Sequence, residues 1–282
     1  MLDIQLIDIA LAEDLGTPYC DITTDLLFAD IHNISTAKII SKHPTPITIC
    51  GLPIVNQLLA KLPGSCEIQT HYKDGQILYP DEVLLTLTGS PHTLLQLERV
   101  MLNFLQHLSA VSTLTSKFID LVKHTKTKIL DTRKTLPGFR RLDKYAVQCG
   151  GGINHRMGLY DAIMIKDTHI DALGNMITAL NKLPDNILEK YAVIVEVRSI
   201  LELETALNHA SHKISRVLLD NMSPDLLSQC VALCKNKLPT EASGNINLNT
   251  VVAVAESGVD FISIGQLTHS AGNVDLSMQC EI

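Results

Sequence analysis

The chain has no tryptophan, and aromatic residues make up only 4% of its 282 positions. Any core must therefore be filled by Leu, Ile, Val and Ala, for which a hydrophobic content of 46% is sufficient. No run of 18 apolar residues occurs, so no transmembrane helix is expected. The first residues, MLDIQLIDIALAEDLG, have neither a basic start nor an apolar h-region and do not read as a signal peptide. The seven cysteines, Cys20, Cys50, Cys66, Cys149, Cys230, Cys234 and Cys280, contain no C-x-x-C. Cys230 and Cys234 lie four apart on an expected helix, but no His pair accompanies them at zinc spacing. Free thiols in a reducing cytoplasm are the expectation. Positive charge is also scarce, with 23 Lys and Arg against 30 Asp and Glu, a net charge of −7. That balance argues against a general nucleic-acid or anionic-membrane binder, which needs a broad basic surface.

One stretch runs against this acidity. Residues 129–170 hold seven Lys/Arg and four Asp/Glu, with a run of three glycines followed at once by Asn-His-Arg. Cations gathered against the net sign point to a local anionic ligand.

In the first part of the chain, residues 2–14 read as an amphipathic helix with Leu2, Leu6, Ile9 and Ala10 on one face, stopped by Gly16-Thr17-Pro18. Residues 35–52 read as strands broken at His43-Pro44, and CEIQTHY and EVLLTLTGS as further strands with a turn at Lys73-Asp74-Gly75. Pro91 opens a helical pattern that reaches Val122, with a break expected near Ser109 to give two helices. After Val122, short apolar runs end at Asp131, Lys166-Asp167, Glu196, Asp220, Glu241 and Gly265, with helical stretches such as LELETALNHA and INLNTVVAVAES between them. This is the rhythm of βα units on a parallel sheet. Because most of the runs end in a polar group, a barrel mouth explains the pattern better than a single switch point. The expected architecture is α/β: an N-terminal α/β domain over 1–112, an incomplete (β/α) barrel over 113–270, and a tail over 271–282 packing back on the N-terminal domain.

Several residues can carry chemistry. Arg133, Lys134, His155, Arg156 and Lys166 each sit beside a strand end or the glycine-rich turn. Five converging cations repel one another unless a polyanion fills the site. Arg140, Arg141 and Lys144 read equally well as a solvated surface. Glu196 and Asp220 at neighbouring strand ends can meet ribose hydroxyls or hold Mg²⁺, or simply pair with the cations. Ser243-Gly244 and Gly265 follow successive strands, where glycine lets the backbone approach a phosphate, although it also serves an ordinary turn. Arg99, alone in LERVMLNFL, is read either as a structural ion pair or as a functional group.

The motifs DTRKTLPG at 131–138, GGGINHR at 150–156, IKD at 165–167, LDN at 219–221, EASG at 241–244 and SIG at 263–265 resemble quinolinate phosphoribosyltransferase. EDLG at 13–16 and ERVMLN at 98–103 extend the likeness nearly end to end. The resemblance implies an N-terminal α/β sandwich and an incomplete α/β barrel. It implies quinolinate and phosphoribosyl pyrophosphate as substrates, nicotinate mononucleotide, CO₂ and pyrophosphate as products, Mg²⁺ as cofactor, and a cytoplasmic homodimer or higher oligomer. By the same likeness, Arg99 enters the neighbouring subunit's pocket, and Arg133, His155 and Arg156 hold the quinolinate carboxylates. Lys134, Lys166, Glu196 and Asp220 form the reacting centre, with Glu196 and Asp220 at the ribose and metal. Ser243, Gly244, Gly265 and His269 cradle the 5′-phosphate. Three positions depart from the family's usual pattern: Thr168 for Asn, Asn245 for Gly, and Ile194 for Glu. A phosphoribosyltransferase for another acid, such as the molybdenum-locus homologues, and a non-catalytic phosphate-metabolite sensor are the competing readings.

Overall fold

The computed structural model describes residues 4–30, 33–62 and 64–281. In chain order the elements begin with α1 (Ile4–Leu15), α2 (Ile22–Leu27), β1 (Ser35–Ser41), β2 (Ile47–Thr48) and α3 (Leu52–Leu59). β3 (Cys66–Thr70), β4 (Ile77–Leu78), β5 (Val83–Gly89) and α4 (Pro91–Val122) follow. Then come β6 (Lys128–Leu130), α5 (Arg140–Cys149), β7 (Ala162–Ile165), α6 (Asp167–Ala172), α7 (Met176–Asn181) and β8 (Ala192–Val197). The chain closes with α8 (Ile200–Ala210), β9 (Arg216–Asp220), α9 (Pro224–Cys234), β10 (Thr240–Ser243), α10 (Val251–Glu256), β11 (Phe261–Ser263), α11 (Gln266–His269) and β12 (Leu276–Glu281).

These elements form two compact units, one of residues 1–116, 136–151 and 271–282, the other of 117–135 and 152–270. The division departs from a simple cut after residue 112, because α5 and its flanks group with the first unit. Their side chains explain this. Tyr145 donates its hydroxyl to Asp74 at 2.7 Å, and His107 meets the fully buried Asp143 at 2.7 Å. Lys144, for which a solvated face is one of two equal readings, is also buried.

In the first unit an antiparallel sheet runs in the order β12-β1-β5-β3. The tail therefore supplies an edge strand, with Thr36 opposite Glu281 and Ser41 opposite Leu276. Helix α1 buries Ile7, Leu11 and Leu15, while Ile9 is 62% exposed. The expected stripe through Leu6, Ile9 and Ala10 is thus rotated away, and Leu2 lies outside the described residues. A sequence apolar on most sides of the helix does not by itself select the buried side.

The expected break at Ser109 is absent, and α4 is one 32-residue helix, about 48 Å long at 1.5 Å per residue. The polar residues that suggested a break bond sideways instead. Ser109 accepts the Cys50 N–H at 3.0 Å and donates to the Cys50 carbonyl at 3.2 Å. Thr113 accepts the Thr48 N–H at 2.8 Å. A satisfied hydroxyl on a buried face does not interrupt the helix.

The second unit holds a parallel sheet in the order β6-β11-β10-β9-β8-β7. All six strands expected from the apolar runs are present. A further parallel bridge joins Ile153 to Leu130 on the other edge of β6. His155 lies two residues after that bridge, four strand spacings from β9. In a flat sheet this is about 19 Å, yet His155 Nε2 lies 3.5 Å from an Arg216 guanidinium nitrogen. The sheet is therefore curled, and its two edges remain unpaired with one another among the described residues. This is an incomplete barrel. Glu241, expected at a strand end, lies instead within β10 and is fully buried.

Candidate active site

Alternation along the parallel strands sends every second residue to the concave side of the curled sheet. On β9 these residues are Arg216, Leu218 and Asp220, in ascending order toward the C-terminal end. On β10 they are Glu241 and Ser243, and register places Glu241 beside Leu218 and Ser243 beside Asp220. On β8, Glu196 stands two residues above Ile194, which packs with Ala162, Leu218 and Met164 into an apolar floor. The Ile194 departure from the family pattern thus adds to that floor. The cavity above it has a volume of about 730 Å³, within the usual range for small-molecule sites.

The walls come from the strand ends. Arg133 and Lys134 follow β6, Arg156 follows the Ile153 bridge, and Lys166 ends β7. Glu196 and Asp220 come from β8 and β9, with Ser243, Gly244, Gly265 and His269 on the turns after β10 and β11. Arg99 is elsewhere. It sits on α4 in the first unit with its side chain 61% exposed, 4.0 Å from Glu98, rather than in an apolar face.

Burial and charge act together on the groups of the cavity. Burial, and then the charge of nearby Arg133, pulls the Arg156 guanidinium below its ordinary value. Arg156 is steadied by a bond of 2.9 Å to the Ala162 carbonyl. Burial and then the charge of Asp220 raise the Glu196 carboxyl, against a smaller opposing effect of Lys166. Burial is the larger cause for both groups and a neighbouring like charge the second, while Lys166 brings a cation to the carboxylates.

The turn after β10 depends on two left-handed asparagines. Asn221 has φ 54° and Asn245 φ 53°, and Gly244 between their side chains has φ 99°. The Asn221 amide donates to Asp220 at 2.7 Å and accepts from the Asn245 amide at 3.1 Å. A Cβ on Gly244 would collide with the Asn221 amide. Asn245 suits this turn because its short polar side chain tolerates the left-handed region. Residues 245–249 form a loop before α10, so the helix expected directly after Gly244 starts later. Gly265 caps α11, and the Lys134 stem and the His269 ring pass over its Cα, where a Cβ would meet them at 3.0 and 3.1 Å. The buried Thr268 hydroxyl donates to the Lys134 carbonyl at 2.8 Å, fixing that loop against α11.

His155 is placed differently from expectation. It lines the cavity, but its Nδ1 accepts the Arg156 N–H at 2.6 Å and its Nε2 lies 3.5 Å from Glu241. Both ring nitrogens face the protein, so in this conformation neither is offered to a ligand. Beneath it, Arg216 Nε approaches Glu241 at 2.7 Å, and its guanidinium lies 4.6 Å from the Phe261 ring centre. Burial alone would raise the Glu241 carboxyl, but His155, Arg216 and Ser263 together hold it below the ordinary range. Sequence reading missed Arg216. Its signal was a charge at the start of the apolar run RVLLD, on the same parity as Asp220. Asp131, read only as a strand end, is fully buried and accepts the His155 N–H at 2.8 Å.

The glycine run before His155 serves packing. A Cβ at Gly150 would strike the Ser112 carbonyl and the Thr115 side chain, and Gly151 has φ 89°.

The profile of the quinolinate phosphoribosyl transferase N-terminal domain matches residues 21–109, and that of the C-terminal domain matches 111–279. A probable nicotinate-nucleotide pyrophosphorylase [carboxylating] of Bacillus subtilis is 38% identical, over 94% of this chain and 89% of the relative. Quinolinate phosphoribosyltransferase [decarboxylating] 1 of Nicotiana glauca is 36% identical, over 98% of this chain and 81% of the relative. The nicotinate-nucleotide pyrophosphorylase structure from Francisella tularensis superposes with a TM-score of 0.89 at 38% identity, covering 99% of this chain and 95% of that one. The Ehrlichia chaffeensis structure of the same name gives 0.91 at 36%, covering 100% and 99%. Both domains, their order and their near-complete coverage lead to one conclusion: this chain belongs to the quinolinate phosphoribosyltransferase family.

Proposed function

We propose that the chain transfers the phosphoribosyl group of phosphoribosyl pyrophosphate to quinolinate with loss of CO₂, giving nicotinate mononucleotide and pyrophosphate in NAD biosynthesis. The observation that carries this reading is the convergence of Arg133, Lys134, Arg156 and Lys166 with Glu196 and Asp220 on one cavity of the second unit. The relatives' two names, carboxylating and decarboxylating, describe one such reaction written in opposite directions.

Both substrates are polyanions, so bringing them together is opposed by charge. Arg133 and Arg156 offer planar donor pairs to the two quinolinate carboxylates. His155, held between the Arg156 amide and Glu241, orients that clamp. Lys134 and Lys166 add point charges beside substrate and phosphates. Ser243, Gly244, Gly265 and His269 form the 5′-phosphate cradle. Holding the pyridine nitrogen against the anomeric carbon can remove on the order of 7–11 kcal/mol of barrier in favourable cases. As the bond to pyrophosphate breaks, the ribose gains positive character, which Glu196 and Asp220 favour. After ribosylation the ring nitrogen is cationic and accepts the electrons released as the adjacent carboxylate leaves as CO₂. No acid or base residue is required.

Glu196 and Asp220 fit a hard divalent cation, because they bring carboxylate oxygens from the adjacent strands β8 and β9, where Glu196 is in register with Leu218, two residues before Asp220. Mg²⁺ held by them would supply positive charge to the departing pyrophosphate.

A homodimer, or a higher oligomer, with Arg99 entering the neighbouring site is part of the same reading. Its support is the exposure of Arg99, whose nearest carboxylate among the described residues is 4.0 Å away. A cytoplasmic setting is supported by free cysteines among the described residues. No described helix is long and apolar enough to cross a membrane.

The test is to supply quinolinate, phosphoribosyl pyrophosphate and Mg²⁺ and measure nicotinate mononucleotide. Turnover is expected. Tight nucleotide binding by intact protein without turnover would favour a metabolite sensor and overturn the assignment.

A further inference from the structure

Away from the cavity, the first unit brings two cysteines together. Cys50 follows β2, and Cys149 ends α5, 99 residues later. Their sulfurs and an Asp74 carboxylate oxygen all lie within 4.8 Å of one another. A clamp holds them there. Asp74 accepts the Gly51 N–H at 3.0 Å, the Leu52 N–H at 3.1 Å and the Tyr145 hydroxyl at 2.7 Å. It thereby ties the residue after Cys50 to a residue one helical turn before Cys149. Gly75 keeps the approach close, since a Cβ there would sit 3.2 Å from the Cys149 carbonyl.

Cys, Cys and Asp also suggest a metal site, but the chemistry disfavours it. The carboxylate of Asp74 already accepts three hydrogen bonds, and two thiols alone do not complete a structural site, which takes four ligands. The thiols have no competing task in the proposed reaction. We propose that Cys50 and Cys149 are a modification site, an intrachain dithiol that closes to a reversible disulfide when a small-molecule disulfide is the oxidant.

The two positions differ in the way such chemistry needs. Cys50 is fully buried, whereas Cys149 is only partly so. The neighbouring Cys50 thiol lowers the pKa of Cys149, while burial raises that of Cys50. Cys149 is therefore the attacking sulfur. Its thiolate bonds to one sulfur of the oxidant, whose S–S bond breaks and releases one thiolate. Cys50, losing its proton to that leaving thiolate, attacks the Cys149 sulfur. The second thiolate departs and takes the proton lost from Cys149. Two protein thiols are oxidised and one disulfide is reduced to two thiols.

The experiment holds the native full chain in glutathione disulfide, blocks remaining thiols, digests with trypsin and maps the peptides. Residues 43–61 and 145–156 each contain one cysteine, so their cross-link is diagnostic. The expected result is that linked pair, lost on treatment with dithiothreitol, with the other five cysteines blocked by the alkylating agent. Cys50→Ser should trap glutathione on Cys149, and Cys149→Ser should leave Cys50 unmodified. Absence of the linked peptide in wild type, its appearance only after denaturation, or Cys149 remaining a mixed disulfide with Cys50 present would each overturn the proposal.

Discussion

Replacing Arg216 by Met removes a guanidinium that the structure places against Glu241. The carboxylate is fully buried, 2.7 Å from Arg216 and 3.5 Å from His155. Removing one partner of a buried ion pair leaves an uncompensated charge and costs on the order of 3–5 kcal/mol. For a unit of this size that corresponds to a fall in Tm on the order of 10 °C. The pH dependence gives a sharper signature. In the wild type the Glu241 carboxyl is held below its ordinary value of 4.5. Its contribution to stability is present above that value and is lost as pH falls through the depressed one. In Arg216→Met, burial dominates and raises the carboxyl, so the sign reverses. Stability then falls as pH rises from about 4.5, and the deficit against wild type is smallest in acid and grows toward neutrality. Urea denaturation across pH 4 to 7 measures this. A second substitution, Glu241→Leu in the Met background, should recover much of the loss. A pH-independent deficit, or one below about 1 kcal/mol, would refute the reasoning.

Other expectations follow from the cavity itself. Glu196 carries a raised carboxyl pKa, so its ionisation opposes folding, progressively as pH rises through and above the ordinary carboxylate range. Glu196→Gln should raise Tm at pH 7 while abolishing turnover, and a lower Tm would contradict the stated cause. Gly244→Ala forces a side chain into φ 99° and against the Asn221 amide. A strain of about 1–2 kcal/mol predicts roughly tenfold weaker phosphoribosyl pyrophosphate binding by calorimetry, and unchanged affinity would remove Gly244 from the phosphate cradle. Arg133→Ala should abolish quinolinate binding in the same assay, and unaltered binding would end its role in the clamp.

Much of the second unit was legible because parallel βα units leave a strong trace. Apolar runs such as RVLLD and FISIG are buried strands, and the polar residues ending most of them are the cavity walls. What periodicity could not supply was depth. Glu241 and Arg216 sit within the curled sheet, and neither their spacing nor their neighbours in sequence reveal a pair formed across strands. The same limit explains His155. Its position beside Arg156 was readable, but the direction of its ring depends on Glu241, 86 residues later. In the first unit, Ser109 misled for a related reason. A serine amid apolar residues suggests a break, and only the tertiary neighbour at Cys50 turns it into a helix-side contact. Lys144 and Asp143 were likewise unreadable as buried groups, since a basic run more often faces water.

The most direct measurement follows the carboxyl carbon next to the ring nitrogen. Quinolinate labelled there is incubated with phosphoribosyl pyrophosphate, Mg²⁺ and the intact chain, with nicotinate as a parallel substrate. The expected result is labelled CO₂ in step with nicotinate mononucleotide from quinolinate, and no product from nicotinate. A mononucleotide that keeps both carboxylates, or efficient use of nicotinate, would contradict it.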